Sequence, residues 1–500
     1  MLLGIDVGTT GAKAMVFAPE GRPLGYAFQE YGIQYTKEGY AQQDAEQVWE
    51  ITKQVVGQAV KAAGVPVKAI SLSVQGDALI AIDKERRAVS PAHLGMDYRG
   101  KEEARQCAEK LGEKEIFRKT GMRPHPMNTF VKLLWVQRHD PGLYERAWKF
   151  VTYADFILGK LGSDEIVIDH SMASRTQAFD LREKKWENSI LEAYGIPEEK
   201  LGRAVPSGTV VGKIRPELAK ELGIDPGAVL VAGGHDQVCA AIGAGLVREG
   251  MALDSHGTAE VISAVLAQPK LNDVMYEGYY PCYIHGLPGF YFTFALNHTG
   301  GGLLKWFAEG FCSADRQEAQ KEGKGLYEYL ISRMPEEPSP VIVLPYLNGT
   351  GTPTCDLGMK GGILGLTMAT DRFDISKGIL EALAFEMRWN MEEMGRAGVR
   401  ITDVRCVGGG ARSPEGLQLK ADIMGTPVAT LEIREAACFG AAILAGMGIR
   451  IYEGPEELDR LIRTREVYEP RRRQRELYER RYQIYRSLYG QLRQTMYDLP

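Results

Sequence analysis

Ala232-Gly233-Gly234-His235-Asp236-Gln237, near the middle of the 500 residues, is the stretch on which the reading of the chain turns. An apolar run, Ala228-Val229-Leu230-Val231, leads into the two glycines, and a helix-forming segment from Val238 to Ala244 follows. The pattern predicts strand, tight turn, helix, with Asp236 held where the helix opens. An aspartate at that point has two readings. It is a favoured capping residue. It is also a carboxylate fixed on a rigid turn, able to take the proton of a substrate hydroxyl during phosphoryl transfer. The flanks favour the second reading, because each half of the chain carries a glycine-threonine turn suited to a phosphate.

In the first half, Leu2-Leu3-Gly4-Ile5-Asp6-Val7 is an apolar strand that ends in Gly8-Thr9-Thr10-Gly11 and returns through Ala12 to Phe17. Glycines let backbone N–H groups approach an anion, and the hydroxyls of Thr9 and Thr10 add donors. Asp6 is placed to hold Mg²⁺ through water, since Mg²⁺ keeps several waters and takes few carboxylates. Lys13 reaches the phosphates as a point charge. Taken alone, these residues are equally an ordinary β-hairpin. The second half repeats the layout from Met251 to Ile262, with Gly257-Thr258 at the turn and one extra residue before the glycine. Two such hairpins suggest two related α/β lobes closing on a nucleotide.

Other polar stretches stand at strand ends. Ala69 to Val74 reads as a buried strand presenting Gln75-Gly76-Asp77. Ligands of open α/β sheets sit outside the carboxyl ends of strands, so Gln75 and Asp77 are candidates for sugar hydroxyls; a plain Asx turn is the alternative. Asp97, within Gly95-Met96-Asp97-Tyr98-Arg99-Gly100, is a further candidate, though an acid just before a helix is commonly a cap. Strand Val404 to Val407 runs into Gly408-Gly409-Gly410-Ala411-Arg412-Ser413, whose glycines leave room for a flat ring or ribose. Gln418 and Asp422 share a face of the helix that follows. A tight strand-to-helix turn is the competing reading. Neither this stretch nor Gly208-x-x-x-Gly212-Lys213 meets the spacing of a dinucleotide fingerprint or a P-loop.

Composition narrows the function classes. The length fits two or three domains, and 44% hydrophobic with 25% charged residues is ordinary globular usage. A net charge of −5 argues for small-molecule partners, with neither nucleic acid nor membrane expected. Seven scattered cysteines without a C-x-x-C pair fit a reducing cytoplasm. No leader-like N-terminus and no run of about 18 apolar residues is present, so no signal peptide or membrane span is expected. Residues 44–63 and 127–139 read as amphipathic helices. From about residue 466 the chain turns basic and helical, and Tyr478, Tyr482, Tyr485 and Tyr489 form one stripe. That stripe is expected to dock on the second lobe.

With these motifs in order, the chain resembles the FGGY family of carbohydrate kinases over nearly its full length. Met127 to His139 matches the first family signature, including Lys132 and Trp135. Gly361 through Glu381 resembles the second, departing at Gly378, where Ala or Ser is usual. Asp6 to Thr10 and Gly257-Thr258 resemble the two phosphate motifs. Gly408-Gly409-Gly410-Ala411, with Ser413, Gln418 and Asp422, resembles the adenosine motif. Gly233 to Gln237 resembles the segment that carries the catalytic aspartate.

The resemblance implies an α/β fold of two ribonuclease-H-like lobes (the actin, hexokinase and Hsp70 ATPase type) with the ligand cleft between them. The expected division is residues 1–247, 248–465 and a helical tail at 466–500. It implies ATP-dependent phosphorylation of a small carbohydrate in the cytoplasm, with Asp236 as general base and Gln75, Asp77, Asp97 and Gln237 toward the sugar. Mg²⁺ is placed near Asp6, and a homodimer is the expected assembly. The sugar-side residues depart from family patterns. Gln75-Gly76-Asp77 is unlike the Met-His-Gly usual in xylulokinases or the Gln-Arg-Glu of glycerol kinases, and Gly349-Thr350-Gly351-Thr352-Pro353 replaces a Gly-Glu-Arg-x-Pro loop. A ketose of the xylulose, ribulose or fuculose kind leads, with a polyol or sugar acid as the alternative. The rival of another class is an actin-like ATPase clamp, which needs no general base.

Overall fold

The computed structural model describes residues 1–433 and 435–499. Two sheets organise it. The first has strands β1 (Leu2–Val7), β2 (Gly11–Phe17), β3 (Pro23–Glu30), β4 (Ala69–Val74), β5 (Val210–Lys213) and β6 (Val229–His235), in the order β5-β6-β4-β1-β2-β3. The second has β7 (Gly250–His256), β8 (Glu260–Leu266), β9 (Tyr283–Ile284), β10 (Tyr291–Asn297), β11 (Ile401–Gly408), β12 (Val428–Leu431) and β13 (Thr464–Tyr468), in the order β9-β10-β8-β7-β11-β12-β13.

The internal echo in the sequence is an echo in topology. In the first sheet β1, β2 and β3 are antiparallel neighbours, while β1, β4 and β6 run parallel. In the second, β7, β8 and β10 repeat the antiparallel set, and β7, β11 and β12 the parallel one. The near-continuous burial of β1 and β4 is what a parallel strand covered on both faces requires.

Helices cover both sheets. Those used below are α1 (Ala45–Ala63), α2 (Thr129–His139), α3 (His170–Arg175), α4 (Asp236–Gly243), α5 (Gly301–Phe311), α6 (Arg372–Arg396), α7 (Pro414–Met424), α8 (Ala436–Gly448) and α9 (Arg472–Asp498). Helix α1 begins at Asp44, whose carboxylate accepts the N–H groups of Glu46 and Gln47, and ends at Gly64 with φ of 63°.

Helices α4 and α8 follow the corresponding strands β6 and β12, and they cross in close contact. A Cβ on Gly243 would lie 1.9 Å from the Ala436 carbonyl oxygen, and one on Gly440 would lie 1.8 Å from that of Cys239. Helix α8 also lies against β1, where a Cβ on Gly4 would stand 1.8 Å from the Cys438 oxygen. The apolar side of α4 (Val238, Ala241, Ile242) shares a buried cluster with Met251 and Leu253 of the second sheet. Each lobe thus inserts a helix into the join.

Two expectations need correction. The glycines after Val231 form no tight turn: β6 runs through them to His235, with a register shift between Val231 and Gly234. Gly233 presses on β4 so closely that a Cβ would fall 1.7 Å from the Leu72 oxygen, and only a bulged, side-chain-free backbone fits there. The tail does not begin as helix either, because Thr464–Tyr468 pairs antiparallel with β12 as an edge strand.

The rest of the tail is helix α9, which lies against α6. Tyr478, Tyr482 and Tyr485 are buried against α6, and their hydroxyls donate to Glu381 (3.0 Å), Glu392 (2.7 Å) and Glu386 (2.5 Å). Further along, Tyr489, Arg493 and Tyr497 all donate to Asp356.

Gly440→Ala drives a methyl group into the Cys239 carbonyl. Overpacking of this kind costs about 1–3 kcal/mol or more, so the midpoint of urea unfolding should fall measurably relative to wild type.

Candidate functional site

Three loops leave the carboxyl edge of the first sheet: Gly8-Thr9-Thr10 after β1, Gln75-Gly76-Asp77 after β4, and Asp236 after β6. Asp236 is the first residue of α4, not its cap. His235 is the N-cap, with Nδ1 accepting the Gln237 N–H at 3.3 Å, so the capping account of Asp236 fails. The Asp236 carboxylate accepts the same N–H at 2.6 Å, and its side chain is 34% exposed. Burial, then the charge of Asp6, pushes its pKa up to about 7, against the pull of the Gln237 N–H and Arg175. The His235 ring lies beside it, with Nδ1 3.3 Å from Oδ1. Burial holds that imidazole well below its ordinary pKa, so it is neutral.

Asp77 adopts φ of 63°, a backbone conformation that a non-glycine residue keeps only when its surroundings hold it there. Lys132 of α2 supplies part of that hold. It is fully buried, and its ammonium donates to the carbonyls of Asp77 (2.8 Å) and Met127. Burial lowers its pKa to about 7. The Asp77 carboxylate pairs at 2.6 Å with Arg175 of α3, and both residues are 3% exposed. The Arg175 guanidinium sits over the rings of Tyr283 (5.1 Å) and Phe294 (5.7 Å) from the second sheet. Gly76 leaves room for His235, since a Cβ would fall 2.5 Å from its Nε2.

Several buried polar atoms here have no partner among the described residues: Asp77 Oδ1, Arg175 Nε and Nη1, Gln237 Oε1 and the Tyr283 hydroxyl. Buried polar groups are normally satisfied, so this set, gathered around Asp236, is a candidate place for a ligand. Sequence reading missed Arg175 and Tyr283. The only signal was a charged residue closing a run of small ones, Ser171-Met172-Ala173-Ser174.

The other sugar-side candidates fare differently. The Gln75 amide donates to the Gly8 carbonyl (3.3 Å) and to Gln43 (3.2 Å), which ties β4 to the first phosphate turn. Asp97 is fully buried, and both its oxygens are taken by Arg99, at 2.9 Å to Nε and 2.7 Å to Nη2. Arg99 lies between the rings of Tyr40 (4.4 Å) and Trp135 (4.8 Å). That pair is buried, and it ties Asp97 to Arg99.

At the first turn, Gly8 N–H donates to the Gly11 carbonyl at 3.0 Å, while the hydroxyls of Thr9 and Thr10 have no protein partner among the described residues. Tyr31 and Gln43 brace the turn by donating to the carbonyls of Gly8 (2.6 Å) and Thr9 (2.7 Å). Asp6 accepts the Ser73 hydroxyl at 2.7 Å, and burial raises its pKa. Lys13 is not free: Glu435, just before α8, holds its ammonium at 2.7 Å.

At the second turn, the carbonyls of Gly257 and Thr258 accept the N–H groups of Gly301 (2.9 Å) and Gly300 (2.7 Å), which seats the amino end of α5 on the turn. Beneath it Lys420 of α7 is buried, paired with Asp254 and Glu260, and 3.0 Å from Nδ1 of His256. Asp254, His256 and Glu260 have metal-like spacing, but the ammonium already fills their centre. The Gly408–Ala411 turn packs on His256, and a Cβ on Gly410 would meet the ring at 2.3 Å. Gly409, Gly410 and Ala411 form a short 3₁₀ turn. Ser413 caps α7 through the Gly416 N–H (3.1 Å), and Asp422 holds Arg471 (2.7 Å) where the tail begins. Ser413 and Asp422 thus each have a partner within the protein.

Comparison with known proteins follows the same division. The model of the FGGY family of carbohydrate kinases, N-terminal domain, matches residues 1–243, and that of the C-terminal domain matches residues 252–449. The chain is 28% identical over 492 residues to the xylulose kinase of Bacillus subtilis, covering 98% of this chain and 96% of that protein. It is 26% identical over 448 residues to the gluconokinase of the same organism, covering 89% and 86%. The fold matches the crystal structure of xylulose kinase from Rhodospirillum rubrum with a TM-score of 0.90 at 23% identity, over 99% of both chains. Among the described residues no helix is long and apolar enough to cross a membrane.

Gly76→Ala should displace the His235 ring and, with it, Asp236. Misplacing a reacting group by about 1 Å costs on the order of a hundredfold. The variant should keep its circular dichroism spectrum and lose about that much in kcat/KM.

Proposed function

The chain belongs to the FGGY family of carbohydrate kinases, and on that footing we propose that it transfers the terminal phosphoryl group of ATP to a hydroxyl of a small ketose. The observation that carries the reading is the placement of Asp236. It stands at the start of α4, where it feels the charges of Asp6, Arg175 and Asp77, and the last two carry unpartnered polar atoms. Similarity to xylulose kinases along the whole chain supports a ketose.

In this mechanism Asp236 accepts the proton of the attacking hydroxyl. Its pKa near 7 suits a base working near neutral pH. The free hydroxyls and N–H groups of Thr9 and Thr10, with the turn at Gly257 and Thr258, orient the phosphates. The turn at Gly409, Gly410 and Ala411, backed by His256, is the place for the nucleoside. Lys13, held by Glu435 through one contact, keeps further N–H donors for a phosphate. Asp6 suits Mg²⁺: one carboxylate oxygen accepts Ser73, the other has no protein partner among the described residues, and hard oxygen donors are what that ion takes. The ion would neutralise phosphate charge. Closure of the lobes would keep water from the transferable group.

An actin-like clamp has no use for a carboxylate of raised pKa beside a sugar-sized set of unsatisfied groups, which favours the kinase. Asp236→Asn should lower kcat by about 10²–10⁴, the range for loss of a general base, with sugar binding by calorimetry little changed. The base acts ionised, so kcat/KM of the wild type should climb as pH rises through about 7 and level above it. A flat profile between pH 5.5 and 8.5 would remove Asp236 from that role.

A further inference from the structure

We propose that the buried Asp77–Arg175 pair selects an uncharged polyhydroxy substrate and rejects aldonates. The inference rests on the kinase reading above and goes past it by assigning the residues that exclude a charged acceptor.

The argument is a matching of donors and acceptors. Arg175 spends Nη2 on Asp77 Oδ2 at 2.6 Å and keeps Nε and Nη1 unpartnered. Asp77 keeps Oδ1 unpartnered beside them, and Gln237 adds a second free acceptor in Oε1. The open set therefore holds donors and acceptors together. A hydroxyl is both a donor and an acceptor, so a sugar can satisfy both kinds at once. A carboxylate only accepts. It would satisfy Arg175, leave Asp77 Oδ1 and Gln237 Oε1 bare, and bring a third negative charge toward Asp77 and Asp236.

The cations nearby are already engaged. Arg175 is neutralised by Asp77. The N–H groups of Lys132 are directed to the carbonyls of Asp77 and Met127. Arg99 is bound to Asp97 and enclosed by Tyr40 and Trp135. Arg175 cannot turn away from its partner, because its guanidinium is packed over Tyr283 and Phe294.

The test compares kcat/KM for D-xylulose and D-ribulose with that for D-gluconate and D-xylonate, by coupled ADP release with Mg-ATP. Wild type should prefer the better neutral sugar by at least about a hundredfold, since a site built on hydrogen bonds rejects a mismatched ligand strongly. Asp77→Asn, which leaves Arg175 an unneutralised cation, should shrink that preference at least tenfold. The double variant Asp77→Asn with Arg175→Gln should not favour the acids, because the freed cation is gone; it also serves as the folded comparison if the single variant is unstable. Aldonates used as well as ketoses by wild type would overturn the inference and leave the kinase reading intact. So would a preference unchanged in Asp77→Asn. Failure of all four compounds to stimulate ADP release or raise Tm would overturn both.

Discussion

The molecule depends on one close approach, the crossing of α4 and α8. Gly243 and Gly440 let the backbones meet at a separation that any side chain would block. Because each helix begins at the carboxyl end of its own sheet, the crossing fixes two functional edges at once. Asp236 opens one helix, and Glu435, which holds Lys13, stands immediately before the other. The distance between base and phosphate turn is thus set by backbone packing and not by long flexible side chains. That is the more rigid way to hold a reacting group.

Much of this could be read from the residues. Strands Leu2–Val7 and Ala69–Val74 announced themselves as mainly apolar runs, and both Gly-Thr turns by their glycines. These features are local, fixed by residues within one or two turns of each other. Asp236 and Asp77 were reachable for the same reason: each follows a legible strand. Arg175 was not, because its meaning lies in Asp77, 98 residues earlier in the chain. Nor was Lys420, which completes a charge set 160 and 166 residues away. Asp97 is the converse case. An acid next to a loop looks available until the side chain paired with it, Arg99, is seen stacked on Trp135. The glycines before Asp236 were read as a turn, but their meaning came from Leu72 on the neighbouring strand.

Buried charge is the common theme of what stayed hidden. Lys132, Arg175, Lys420 and Arg99 all lie in the interior with their partners. Such groups contribute little net stability over apolar replacements but are costly to leave unpaired. They act instead as fixtures: Lys132 holds the Asp77 backbone, and Lys420 anchors the strand pair that bears Gly257 and Thr258. The family signature around Lys132 and Trp135 thereby gains a physical account. The lysine pins one loop carbonyl, and the indole lines the slot that keeps Arg99 on Asp97.

The terminal helix has a consequence for biosynthesis. Glu381 and Glu386 emerge from the ribosome 97 and 99 residues before Tyr478 and Tyr485, the hydroxyls that bond them. Through that interval Glu381 has the Ser339 N–H and Glu386 the Tyr346 hydroxyl but neither has its tail partner, and the second lobe cannot settle into its final packing. Its maturation is therefore tied to completion of translation, whereas the first sheet has all its strands once His235 has been made.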